Sequence, residues 1–174
     1  MTGTELLLDA FGRTPDLVHG VVGGISTEEL TFRLDPKANS IAWLVWHLSR
    51  IEDDHVAEVA GLEQVWTAAG WARRWRLPFD DSDTGYGHSP KQVAAVTGDA
   101  GMLLGYFDAV HSMTVRFVGE LSDTDLDRVV DENWSPPVTL GVRLVSVAGH
   151  NFEQAAQADF IRGMLERRRR RRAT

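Results

Sequence analysis

The residue types best suited to chemistry in this 174-residue chain are its six histidines, at positions 19, 47, 55, 88, 111 and 150. Two of them interrupt apolar runs with helical spacing. His47 lies in Ile41-Ala-Trp-Leu-Val-Trp-His-Leu, where a helix puts it on one side with Trp43, Leu44 and Ile51. His150 lies in Val145-Ser-Val-Ala-Gly-His-Asn-Phe-Glu-Gln, and Gln154 follows one turn later on the same face. A polar ring in an apolar run needs a partner. Imidazole nitrogens that converge from two helices in a bundle core can hold a divalent transition metal. Two or three protein ligands leave positions open for water and substrate, and an open position lets the metal polarise what it binds. The competing reading is a hydrogen-bonded core histidine, the commoner fate of a lone histidine on a half-apolar face. Gln154 is the weakest of the three candidates, because a neutral amide oxygen suits harder ions.

Other candidates cluster around His47. His55 is eight residues on, about 80° around a helix, beside Asp53 and Asp54. Asp54 falls nearly on the His47 face. Either His55 or Asp54 can orient a ligand or replace one, and a solvated acidic helix end is the alternative. Arg50, three residues from His47, can reach a substrate carboxylate or pair with Asp53 or Asp54. His19, His88 and His111 read as surface residues, and Trp75 and Trp134 as candidates for a pocket mouth. There is no cysteine, which excludes disulfides, thiolate metal sites and a cysteine nucleophile. Thr84-Gly-Tyr-Gly-His follows no strand and is not a phosphate loop, and no nucleophile elbow is present.

Four long helices must carry these residues. Leu6, Leu7, Ala10, Phe11, Leu17, Val18, Val21 and Val22 predict the first from Gly3 to Val22, with Pro15 either kinking it or marking its true first turn. Ser26 to Glu29 has the capping-box pattern of a short turn. Asn39 or Ser40 caps the second helix, Ile41 to Ala60, and Gly61 stops it. Residues 62–98 read as irregular, apart from a short helix after Ser89-Pro90. The third helix is expected from Asp99 to Leu121. The fourth, capped by Thr139, is expected from Leu140 to about Glu166. A short strand near Asp127 to Val130 is allowed. The fold class is therefore all-α, a four-helix bundle. The link between the second and third helices is about 38 residues, far more than a hairpin needs. It permits a crossover that leaves those two helices parallel.

Composition agrees: 43% hydrophobic and 25% charged residues describe a soluble globular chain, long enough for one core. No run is long enough for a membrane helix and no leader is evident, so a cytoplasmic protein is expected. The net charge is -7, yet six of the 18 basic residues are consecutive, Arg167 to Arg172. The remaining 12 basic residues face 25 acidic ones, a balance that repels nucleic acid. We expect a bundle domain over residues 1–166 and an arginine-rich, disordered or frayed tail over 167–174.

The run Asn39-Ser-Ile-Ala-Trp-Leu-Val-Trp-His-Leu-Ser-Arg-Ile-Glu-Asp-Asp-His resembles the DinB/YfiT-like superfamily, as does Gln157-Ala-Asp-Phe-Ile-Arg-Gly. Residues 71–86, 99–128 and Asn133-Trp-Ser-Pro-Pro-Val-Thr-Leu-Gly-Val-Arg-Leu-Val-Ser-Val resemble its mycothiol-dependent, DUF664 branch. The likeness covers roughly residues 4–165. It implies an up-down-down-up bundle and a divalent metal, zinc or nickel, held by histidines of the second and fourth helices. It also implies a low-molecular-weight thiol co-substrate such as mycothiol or bacillithiol, with the metal stabilising the thiolate. By this resemblance His47 is the ligand on the second helix, and His150 and Gln154 occupy the two ligand positions of the fourth. The family commonly has histidine at the second of these, and an amide there weakens zinc or nickel binding. Two functions are therefore expected. One is a metal-dependent transferase moving a thiol onto a small electrophilic substrate, as a homodimer, with Arg50 or Asp54 orienting the substrate. The alternative is a non-catalytic dimeric bundle with a degenerate metal site, acting as a binding or scaffold protein.

Overall fold

The computed structural model describes residues 1–172, without the side chain of Arg172. Helices α1 (Gly3–Gly12) and α2 (Thr14–Val22) form one broken rod. The break falls at Arg13 because Pro15, in the first turn of α2, has no N–H to continue the ladder of α1. Short α3 (Thr27–Leu30) follows, closed by a capping box in which Ser26 and Glu29 bond each other's backbone. Helix α4 (Ile41–Ala60) begins at Ser40, whose hydroxyl accepts from Trp43 N at 3.1 Å. It ends at Gly61 in the left-handed conformation, φ 66°.

The long link folds into α5 (Val65–Ala68), α6 (Trp71–Trp75) and α7 (Pro90–Ala95). Helix α8 (Ala100–Gly119) is capped by Asp99, which accepts from Met102 N at 2.8 Å. A 3₁₀ turn (Asp123–Asp127) and a two-stranded ribbon lead onward, β1 (Val129–Asp131) pairing antiparallel with β2 (Val138–Thr139). Helix α9 (Leu140–Arg172) ends the described chain. The arginine run, expected as a disordered or frayed tail beyond Glu166, continues α9 as far as Arg172. Its contacts with the body include Arg169 pairing with Glu29 and the Arg168 guanidinium lying over the Phe32 ring.

Helix α4 packs against α8 and α9, and the α1–α2 rod closes the other side against the same two helices. Cross-contacts set the directions. His47 meets His150 and His55 meets Arg143, so α4 and α9 are antiparallel. Asp53 bonds Tyr106 near the start of α8, while Val56 shares a cluster with Val118 near its end, so α4 and α8 run parallel. The order is up-down-down-up. Two apolar clusters fill the bundle. One is built on Trp43, Trp46, Trp66, Trp75 and Phe107, the other on Phe11, Val56, Leu140 and Leu144. Six polar side chains of α4, α8 and α9 with no exposed surface lie along the core: Ser49, Arg50, Glu52, Asp53, Thr114 and Asn151. Among the described residues no helix is long and apolar enough to cross a membrane.

Candidate functional site

Helices α4 and α9 bring His47 and His150 together, with ring centroids 4.9 Å apart and planes 80° apart. His47 is only 6% exposed. Its Nδ1 lies 2.6 Å from the Thr84 carbonyl oxygen. A carbonyl only accepts, so Nδ1 carries the hydrogen and Nε2 is left with a free lone pair. The Trp43 indole stacks on the same ring at 4.5 Å. His150 Nε2 is buried and has no hydrogen-bond partner. Beside the pair is an open cleft of about 240 Å³, lined also by Ile51, His55, Ser146, Val147 and the exposed Tyr86.

The imidazoles are held neutral. Burial pushes the His47 pKa down to about 4, overriding the Thr84 carbonyl. Burial also lowers His150, with His55 adding to the effect, and lowers His55, with the Arg143 guanidinium adding to it. Neutral rings are what a metal needs from histidine. The unpartnered His150 nitrogen beside the free His47 nitrogen fits two ligands of an open metal site. Gln154 lines no part of the cleft. Among the described residues, no three His, Asp or Glu side chains close on one point where an ion could sit.

Arg50 is placed elsewhere. It has no exposed surface and donates to Asp83 O, Asp81 O, Gln64 Oε1 and the Tyr106 hydroxyl. Asp53 Oδ2 lies 3.7 Å away and accepts from Trp66 N and the Tyr106 hydroxyl, while Oδ1 accepts from Val65 N. Arg50 therefore anchors the loop whose Thr84 carbonyl meets His47. Asp54 accepts from Gln64 Nε2 at 2.7 Å and does not line the cleft. Trp75 is core, its Nε1 donating to Thr97 O, and Trp134 is exposed outside the cleft.

Three features escaped sequence reasoning. His88, expected on the surface, has a side chain only 2% exposed. Its Nδ1 accepts from Trp43 Nε1 at 3.0 Å and its Nε2 donates to Asp83 at 3.0 Å. It stacks on Trp46, so it bolts the loop to α4. Gly85, at φ 95°, lies so close that a Cβ there would sit 2.9 Å from both His47 Nδ1 and the Trp46 ring. Its positive φ and this close approach both call for glycine, and the Gly-rich composition of the loop was the available signal. Glu52 is the third. Asn151 Nδ2 donates to its Oε2 at 2.5 Å, while its Oε1 has no partner. His19 is exposed as expected and pairs with Asp108 at 2.7 Å, whereas His111 is half-buried against Phe107.

No curated protein matches the chain. A crystal structure described as the conserved protein of locus from Enterococcus faecalis is similar in fold, with a TM-score of 0.87 and 26% identity. The match covers 93% of this chain and 96% of that one. The family model described as the DinB superfamily matches residues 10–158. Most of the bundle, His47 and His150 included, lies inside that match, and the chain belongs to the DinB superfamily.

Proposed function

We propose that the cleft binds a divalent transition metal, zinc or nickel, through His47 and His150, and serves transfer of a small thiol of the mycothiol type to an electrophilic metabolite. One observation carries the reading: two neutral imidazoles from different helices meet at an open cleft, with the His47 Nε2 lone pair free and the His150 Nε2 unpartnered. A bound metal would supply Lewis acidity that favours the thiolate form of the thiol at neutral pH. The chain has no cysteine, so the sulfur must arrive with the substrate. The Thr84 carbonyl keeps the proton of His47 on Nδ1, and Arg50 and His88 hold the loop that presents that carbonyl. Tyr86 offers a ring at the rim for an apolar substrate. A second copy of the chain belongs to the same proposal, supported by exposed Leu6, Val142 and Val145 on α1 and α9.

Equilibrium dialysis against zinc and nickel, followed by elemental analysis of untagged protein, tests the reading. One metal per chain, lost in His47→Ala, is expected. Substoichiometric uptake at every concentration defeats it. The placement of Gln154 outside the cleft favours a second reading, a bundle with a degenerate site that acts as a binding protein. It predicts a melting temperature unmoved by either metal, since a ligand that does not bind the native state cannot stabilise it.

A further inference from the structure

His55 lines the cleft from the same helix as His47, eight residues later. Its Nδ1 lies 2.9 Å from Arg143 Nη1. A guanidinium nitrogen can only donate, so Nδ1 of His55 accepts and carries no hydrogen. A neutral imidazole then bears its single hydrogen on Nε2. This is the reverse of His47, whose hydrogen is fixed on Nδ1 by a carbonyl. The arrangement is built rather than incidental. Arg143 Nη1 also donates to Glu58 Oε2 at 3.0 Å, and Nη2 meets Asp131 Oδ2 at 3.4 Å. Carboxylates of α4 and β1 thus hold the α9 guanidinium against the ring. For Nε2 of His55 to ligate a metal, its proton would have to move to Nδ1, directly against the Arg143 N–H.

We propose that His55 is a hydrogen-bond donor of the cleft, locked as the Nε2–H tautomer by Arg143 as its positioning residue, so that it meets an acceptor atom of a bound small molecule and stays outside the metal's ligand set. The metal half of this statement rests on the function proposed above, while the tautomer stands on its own geometry.

Long-range proton–nitrogen correlation NMR on the 15N-labelled full chain near neutral pH tests it, with His55 assigned through His55→Gln. The expected spectrum shows His55 Nε2 protonated and Nδ1 bare. Protonation on Nδ1 overturns the proposal. On saturation with zinc the resonances of His47 and His150 should shift while His55 keeps its Nε2–H. Loss of that hydrogen would make His55 a ligand and overturn the proposal. In Arg143→Met, zinc should draw His55 in and remove the hydrogen, and its persistence there would show that Arg143 is not the lock. If zinc moves no histidine, the metal reading fails, and the metal-free spectrum still decides the tautomer.

Discussion

Replacing Glu52 by glutamine should remove a loss of stability that wild type suffers as pH rises. Glu52 has no exposed surface, and burial pushes its carboxyl up from an ordinary 4.5 to about 7. Thr114 and Asn151 oppose the shift and the Asp53 charge adds to it. Below the folded value the native carboxyl keeps its proton, while the unfolded one releases it above 4.5. Across that window the native state binds more protons, so stability falls as pH rises. At about 1.4 kcal/mol per unit, the loss between 4.5 and 7 comes to about 3 kcal/mol. Glutamine has nearly the same shape and cannot ionise. Urea unfolding of both proteins at about pH 5 and about pH 8 reads the difference. With a slope of about 1–3 kcal/mol per molar urea, the midpoint of Glu52→Gln relative to wild type should rise by about 1–3 M between the two conditions. An equal midpoint difference at both pH values would refute the reasoning, because it would mean that Glu52 ionises in the folded protein as it does in water.

Gly85→Ala adds a Cβ 2.9 Å from His47 Nδ1 at a backbone φ of 95°. It should cost about 1–3 kcal/mol and free the His47 Nδ1–H from Thr84, read by urea unfolding and by the histidine nitrogen spectrum. Arg50→Met leaves Asp53 buried without its guanidinium and unties residues 81–83. A loss of about 3–5 kcal/mol is expected, and a loss under about 1 kcal/mol would show the clamp to be idle. Glu29 is held down to about 2 by its bond to Arg169, a partner that is half in solvent. Glu29→Gln should therefore change stability by less than about 1 kcal/mol, and thermal unfolding at low and high salt checks it.

Helix periodicity and caps were legible in the sequence because they are local. Ile41 to Ala60 is bounded as expected, with Ser40 rather than Asn39 capping it. Pro15 signalled the break between α1 and α2, and Thr139 caps α9 through Val142 N at 3.4 Å. His47 and His150 could be paired from their helical faces once the topology was known. Long-range partners could not be read in this way. His88 sits among Asp, Ser and Gly, and composition gave no sign that two tryptophans of α4 wait for it. The Arg50–Asp53 spacing was visible, whereas the loop carbonyls that complete its shell arrive from thirty residues away in the chain. Glu52 lies off the face of α4 that carries Trp43, Leu44 and Ile51, and nothing local shows that this side too is buried. The arginine run read as a loose end because like charges repel, and its contacts with Glu29 and Phe32 lie on an element that sequence spacing cannot reach.

The central claim is that His47 and His150 share one metal ion. An anomalous difference map at the zinc absorption edge, from a crystal grown with zinc, tests it most directly. The account predicts a single peak about 2.0–2.1 Å from a ring nitrogen of each histidine. A map with no peak there, while His150 Nε2 is bonded to some other group, would contradict it.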